Sequence, residues 1–194
     1  DLEVGGSFDL AGSPIKTAPE VKEKTASNPF GPTATAATTA LSQETTDLQG
    51  AIEKSYECVV DEAALERWLK KIEGAQLTAV DTETTGLDAL AAELVGVSLC
   101  VTPGEACYIP VAHRNGEDQL SREFVLARLK PWLESSTNFK VGQNLKYDAH
   151  IFANYGITLQ GIQFDTLLES YVLESHMPHN MDSLAERHLG MKTI

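Results

Sequence analysis

The sequence predicts an α/β domain, a mixed sheet flanked by helices, and three observations point there. From Ser55 onward, the stretches around Asp81, Leu94–Val101 and Ala106–Val111 follow one another closely enough to form a three-strand meander. Beyond them, helix-period and strand-period segments alternate, the pattern of crossover connections. The apolar run Leu77-Thr78-Ala79-Val80 ends in Asp81-Thr82-Glu83-Thr84, so two carboxylates stand where a buried strand should be finishing.

Taken in order, Tyr56–Val60 reads as a strand. Asp61 then caps a helix near Glu62–Glu73, whose Leu65, Trp68, Leu69 and Ile72 share one face. The strand carrying Asp81 comes next. Thr102-Pro103-Gly104-Glu105 joins the following two strands, and Pro then Gly at the central positions is what a type II turn requires. Ser121 is positioned to cap a helix carrying Phe124, Val125, Leu126 and Leu129, with Pro131 expected to kink or end it. Phe139–Gly142 is a short strand, followed by a helix from about Leu145 to Tyr155 that stops at Gly156. A strand near Leu159–Phe164 leads into a helix capped by Asp165. The Ser183-x-x-Glu186 spacing marks a last helix, ending at Gly190.

Composition divides the chain. Residues 1–54 are rich in Gly, Ser, Thr, Ala and Pro, hold Phe8 and Phe30 as their only aromatics, and show no sustained periodicity. Such a segment buries too little apolar surface to offset its ordering entropy, and a flexible, disordered linker is expected there. Residues 55–194 are expected to be the folded domain. The chain begins at Asp1 without an apolar leader, which suggests a piece of a longer protein. No apolar run approaches the ~20 residues that span a bilayer. Cys58, Cys100 and Cys107 form no C-x-x-C pair, the simplest account being reduced thiols in a cytosol. The net charge of −13 argues against a broad basic surface that grips duplex DNA, yet leaves room for a strand end held at metal ions.

In a strand, Asp81 and Glu83 point one way and Thr82 the other. Two like charges so close repel one another unless something positive sits between them. They are either solvated acids at a strand end or half of a site for Mg²⁺ or Mn²⁺, which favour hard oxygen ligands. A third acid is well placed. Asn144 and Asp148 are four apart on the helix leaving the Val141 strand, so they are expected to share a face, with Tyr147 adjacent. If that strand lies beside the Asp81 strand, Asp148 faces the same crevice. Three carboxylates there would hold two Mg²⁺ ions about 3.5–4 Å apart, an arrangement used for phosphodiester cleavage.

These residues carry a resemblance. Ala79-Val80-Asp81-Thr82-Glu83-Thr84 and Val141-Gly142-Gln143-Asn144-Leu145-Lys146-Tyr147-Asp148 resemble the first two motifs of the DEDD 3′–5′ exonucleases. Tyr108-Ile109-Pro110-Val111-Ala112-His113, Phe164-Asp165-Thr166 and Met181-Asp182-Ser183-Leu184-Ala185-Glu186-Arg187 are more specific, and resemble the proofreading domain of bacterial family A DNA polymerases. The resemblance runs from Ser55 to Ile194. It implies a ribonuclease H-like fold and stepwise removal of nucleotides from the single-stranded 3′ end of DNA. It implies Asp81, Glu83 and Asp148 as catalytic metal ligands for two Mg²⁺ ions, replaceable by Mn²⁺, with Glu83 also orienting water. Leu87 would wedge against the terminal bases, and Thr84, Gln143, Asn144 and Tyr147 would line the strand's path. Covalently linked polymerase and 5′ nuclease domains, a bacterial cytoplasmic setting at the nucleoid, and roles in replication and repair follow from the same resemblance, with no membrane partner.

One departure matters. The family's third motif is a Tyr and an Asp four residues apart on a later helix, and the sequence holds no such pair after the Met181–Gly190 segment. The 194 residues are therefore expected to bind metal weakly and cleave poorly on their own. An RNA 3′-end exonuclease of the same superfamily, or a non-catalytic nucleic-acid-binding module, are the other readings. Asp165 is expected to cap rather than ligate, and His176-x-x-His179, which lacks Cys partners and is interrupted by Pro178, to be a loop. Leu87 could alternatively pack on the core.

Overall fold

The structure, a computed structural model, describes residues 53–114 and 118–192. The linker expected over 1–54 lies, through residue 52, outside the described residues. The folded part is a six-stranded mixed sheet in the order β1-β4-β3-β2-β5-β6. The strands are β1 (Ser55–Cys58), β2 (Leu77–Thr84), β3 (Leu94–Thr102), β4 (Glu105–Pro110), β5 (Phe139–Gly142) and β6 (Ile162–Asp165). The antiparallel meander β2–β3–β4 forms the centre, while β1 joins β4, and β5 joins β2, in parallel. Gly104 takes φ 90° in the hairpin between β3 and β4, as a type II turn demands.

One face of the sheet is the core. Thr78, Val80 and Thr82 of β2, Val97 and Leu99 of β3, and Cys107 and Ile109 of β4 are buried there. Helix α1 (Glu62–Gly74) lays Leu65, Trp68, Leu69 and Ile72 on it, and Asp61 caps the helix by accepting from Ala64 N at 2.8 Å. Helix α2 (Arg122–Leu133), capped by Ser121, and helix α3 (Leu145–Ala153) complete the layer. Helix α2 does not end at Pro131. It runs through to Leu133 because Trp132 and Leu133 are buried and because its last carbonyls find a donor. That donor is Lys140 of β5, fully buried, whose Nζ reaches the carbonyls of Trp132, Leu133 and Ser135 at 2.6, 3.3 and 2.9 Å.

Helix α4 (Thr166–Leu173) and the short helix α5 (Met181–Leu184) lie over the other face. Helix α5 widens into a π-type turn, Ala185–Leu189, and stops at Gly190 (φ 63°). It starts earlier than the Ser183 spacing predicts. Asn180 is its cap, accepting from Ser183 N at 2.9 Å. Between these elements and the sheet is a mostly apolar cleft of about 570 Å³, bounded by Ala79, Ser98, Cys100 and Val141 beneath and by Leu173 and Leu184 above. Among the described residues no helix is long and apolar enough to cross a membrane.

Candidate active site

The site forms where β2 ends. Strand β5 stops alongside β2 after pairing Val141 with Ala79. At Gly142 the chains are so close that a Cβ would lie 2.7 Å from the Val80 carbonyl oxygen and 2.5 Å from Leu145, so only glycine fits. Past that point β2 runs on with β3 as its strand neighbour, carrying Asp81 and Glu83 on the open face. Asp81 is half-buried. Burial, then the neighbouring Glu83 charge, pushes its carboxyl above the usual range, against a lowering hydrogen bond from Thr82 N–H. Glu83 is exposed. The expected pairing of β5 with β2 is therefore present, and so is the shared face of the two acids.

Asp148 arrives from helix α3 and is 2% exposed. Its Oδ1 accepts from Thr82 N at 3.0 Å and from Thr82 Oγ1 at 2.6 Å. Burial is the largest cause, with the Asp81 charge acting in the same direction, that pushes its carboxyl up to about 6; the Thr82 hydroxyl opposes them. Asp148 thus lies close to Asp81 but is turned to Thr82, the residue on the core face of β2. The expected convergence of three carboxylates in one crevice is not formed here. Among the described residues no three or more His, Cys, Asp or Glu side chains are gathered so as to hold a metal ion. Thr82, which the strand period turns away from the two acids, is the residue that holds Asp148.

The approach to the acids is built from the β2–β3 loop and the start of α3. Tyr147 Oη donates to the Gly86 carbonyl at 2.5 Å and accepts from Thr84 Oγ1 at 2.6 Å, with Thr84 Oγ1 also 3.0 Å from that carbonyl. This fixes the loop that displays Leu87, which is 96% exposed and so does not pack on the core. Asn144 does not share a helical face with Asp148. It precedes the helix in the left-handed conformation (φ 65°, ψ 46°), exposed, with no capping bond from its side chain. The cap of α3 comes from Asp165, which accepts from Asn144 N at 3.1 Å and Leu145 N at 2.8 Å as well as from Leu167 N and Leu168 N of α4. Gln143 points inward, its amide donating to the His179 carbonyl at 2.9 Å and accepting from Thr166 Oγ1. His179 is in a loop, as expected, with Nδ1 at 2.8 Å from Ser170 Oγ.

A family model described as 3′–5′ exonuclease matches residues 56–194. The chain belongs to that family. DNA polymerase I of Pseudomonas aeruginosa is 50% identical to this exonuclease domain over 147 residues, 73% of the chain and 16% of the polymerase. The chain therefore spans less than a fifth of that curated relative. Among solved structures, Pol1 from M. smegmatis in complex with a DNA primer-template and dNTP matches with a TM-score of 0.58 and 24% identity, over 70% of this chain and 23% of that one. RNase D of Escherichia coli, an exoribonuclease, matches with a TM-score of 0.55 and 17% identity, over 72% and 35%. These likenesses agree with the ribonuclease H-like sheet expected from the sequence.

Proposed function

We propose that this exonuclease domain edits DNA, removing nucleotides singly from a single-stranded 3′ end as the proofreading module of a bacterial DNA polymerase I. The observation that carries the reading is Asp81 and Glu83 side by side on the open face where β2 outruns β5, with Asp148 behind them. Burial foremost, with a neighbouring carboxylate acting in the same direction, raises the carboxyls of Asp81 and Asp148, and the donor set is all hard oxygen. Asp81, Glu83 and the oxygen of Asp148 that Thr82 does not use would hold two Mg²⁺ ions, or Mn²⁺, once the cations draw the three carboxylates together. When bound, such ions supply a Lewis acid that acidifies water and offsets charge on the departing 3′ oxygen.

The chain's own residues do the rest. Glu83, exposed at the strand end, accepts a hydrogen bond from the attacking water and aims it at the phosphodiester. Leu87, held out by the Thr84–Tyr147–Gly86 bonds, wedges against the terminal bases. The Tyr147 ring and Asn144 line the strand's path, stacking and contacting unpaired bases. Gln143, with its amide committed to His179 and Thr166, serves that path by fixing its wall.

The 194 residues bring three acids to this chemistry, and we propose that they cleave slowly without a fourth. The test is a 3′-labelled single strand with Mg²⁺, given to this chain and to one extended by the next segment of its parent polymerase. Stepwise shortening by the extended chain, lost in Asp81→Ala, is expected. An extended chain that leaves DNA ends intact while trimming matched RNA would overturn the editing role, and rapid shortening by the 194 residues alone would overturn the need for a fourth acid.

A further inference from the structure

Across the β2–β3 ladder Glu83 faces Gly96. Directly opposed residues of an antiparallel pair carry their side chains on one face, with Cβ atoms about 4.5–5.5 Å apart. Glycine leaves that place open, and another residue fills it. A Cβ built on Gly96 would stand 2.0 Å from Oη of Tyr108 and 2.3 Å from its Cζ. The phenol of β4 therefore occupies the position of Glu83's missing cross-strand neighbour. Tyr108 itself is opposite Ser98, and Ser98 is opposite Asp81, so its ring leans along the face from the Asp81 row to the Glu83 row.

The lean has a cause. His113 Nε2 lies 2.6 Å from Tyr108 Oη, and the two rings meet edge to face with centroids 5.6 Å apart. His113 is in turn anchored by Gln119, whose side-chain amide accepts from His113 N and donates to His113 O, each at 2.9 Å. Burial first, and then the charge of Glu83, push the phenol's ionisation upward, so the carboxylate is near enough for its field to reach the hydroxyl.

We propose that Tyr108, held by His113, is a positioning residue for Glu83. With the His113 proton on Nε2, the imidazole donates to the phenol oxygen, and the phenol O–H is left to donate toward the Glu83 carboxylate. Glu83 is a long, exposed side chain at a strand end, free to take several rotamers. A fixed donor beside it selects the one that meets the cation and the water. This rests on Glu83 being a metal ligand, as proposed above. It also accounts for Gly96, since alanine there would drive the ring off its place.

Mn²⁺ titration calorimetry on the 194-residue chain tests it. Tyr108→Phe keeps the ring over Gly96, and its metal-free melt should match the wild type. It should bind Mn²⁺ about tenfold more weakly, in the range seen for outer partners of metal ligands. Glu83→Gln should weaken binding further, and adding Tyr108→Phe to it should change nothing more, because the hydroxyl acts through that carboxylate. Normal uptake by the wild type with Tyr108→Phe within twofold of it, or full additivity in the double variant, overturns the positioning role alone. No Mn²⁺ uptake either by the wild-type chain or by one extended with the next segment of its parent polymerase overturns the metal assignment, and this role with it.

Discussion

Thr82 donates twice to one oxygen of Asp148, and both residues are buried, so neither donor has water to fall back on. Thr82→Val keeps the shape and the β-branching while deleting one donor. A buried charged acceptor left short of a bond costs about 1–3 kcal/mol, which a lower urea midpoint would register; an unchanged midpoint would mean the hydroxyl bond is not made in solution. Asp148 itself carries a pH signature. Its carboxyl is raised from 3.8 to about 6, by burial foremost. Between those values the folded chain holds a proton the unfolded chain has lost, so this group's contribution falls as pH rises through the window, and above it the full cost of burying the charge stands. Asn can still accept from Thr82. Asp148→Asn is therefore expected to stabilise the metal-free chain at pH 7.5 by roughly 1–3 kcal/mol, with the gain gone near pH 4. Urea melts at the two pH values would show it, and a destabilised variant at pH 7.5 would contradict the burial argument.

At the scale of elements, one carboxylate ties two helix starts to two strands. Asp165 ends β6, caps α4, and also takes the first free N–H groups of α3. An ordinary cap is worth about 1 kcal/mol, so Asp165→Ala is expected to cost roughly twice that, and to loosen the turn of α3 that presents Asp148. Hydrogen exchange at Leu145 and Leu167 would report both ends together; protection lost at α4 alone would show that α3 does not depend on it. The α4 cap is readable in the sequence because an Asp between a strand and a helix is a local signal. Its service to α3 is not, because the two ends meet only once β5 and β6 pair. Asn144 misled for the same reason, as helical spacing drawn back from Asp148 cannot register a left-handed residue whose capping work is done from another strand. Pro131 stayed inside α2 because buried Trp132 and Leu133, and the Lys140 ammonium beneath them, outweigh one missing N–H. That Asp81 and Glu83 share a face was legible from the two-residue strand period, and that Asp148 comes close to β2 was legible from its place after the neighbouring strand. Thr82 and Tyr108 were not, since their partners are set by tertiary contact and cross-strand register.

The whole molecule sets an acidic rim beside a sheet face left partly open, in a chain of net charge −13. Cations at that rim would bind the folded state and not the unfolded one, so they should raise its stability. At a free Mg²⁺ or Mn²⁺ concentration a hundredfold above Kd the gain is about 2.7 kcal/mol, which for a domain of this size moves Tm by roughly 5–11 °C. The same carboxyls make the gain depend on pH. Asp148 is raised to about 6 and Asp81 is raised as well, so protons compete with the metal at a pH where ordinary carboxylates would long be ionised. Metal stabilisation should thus be complete at pH 7.5 and fall away as pH drops through about 6, while the metal-free melt changes in the opposite sense through the Asp148 contribution. Thermal melts at pH 5 and 7.5, with and without saturating Mg²⁺, separate the two. A shift that persists at pH 5, or that survives Asp81→Asn, would place the cation elsewhere on the surface.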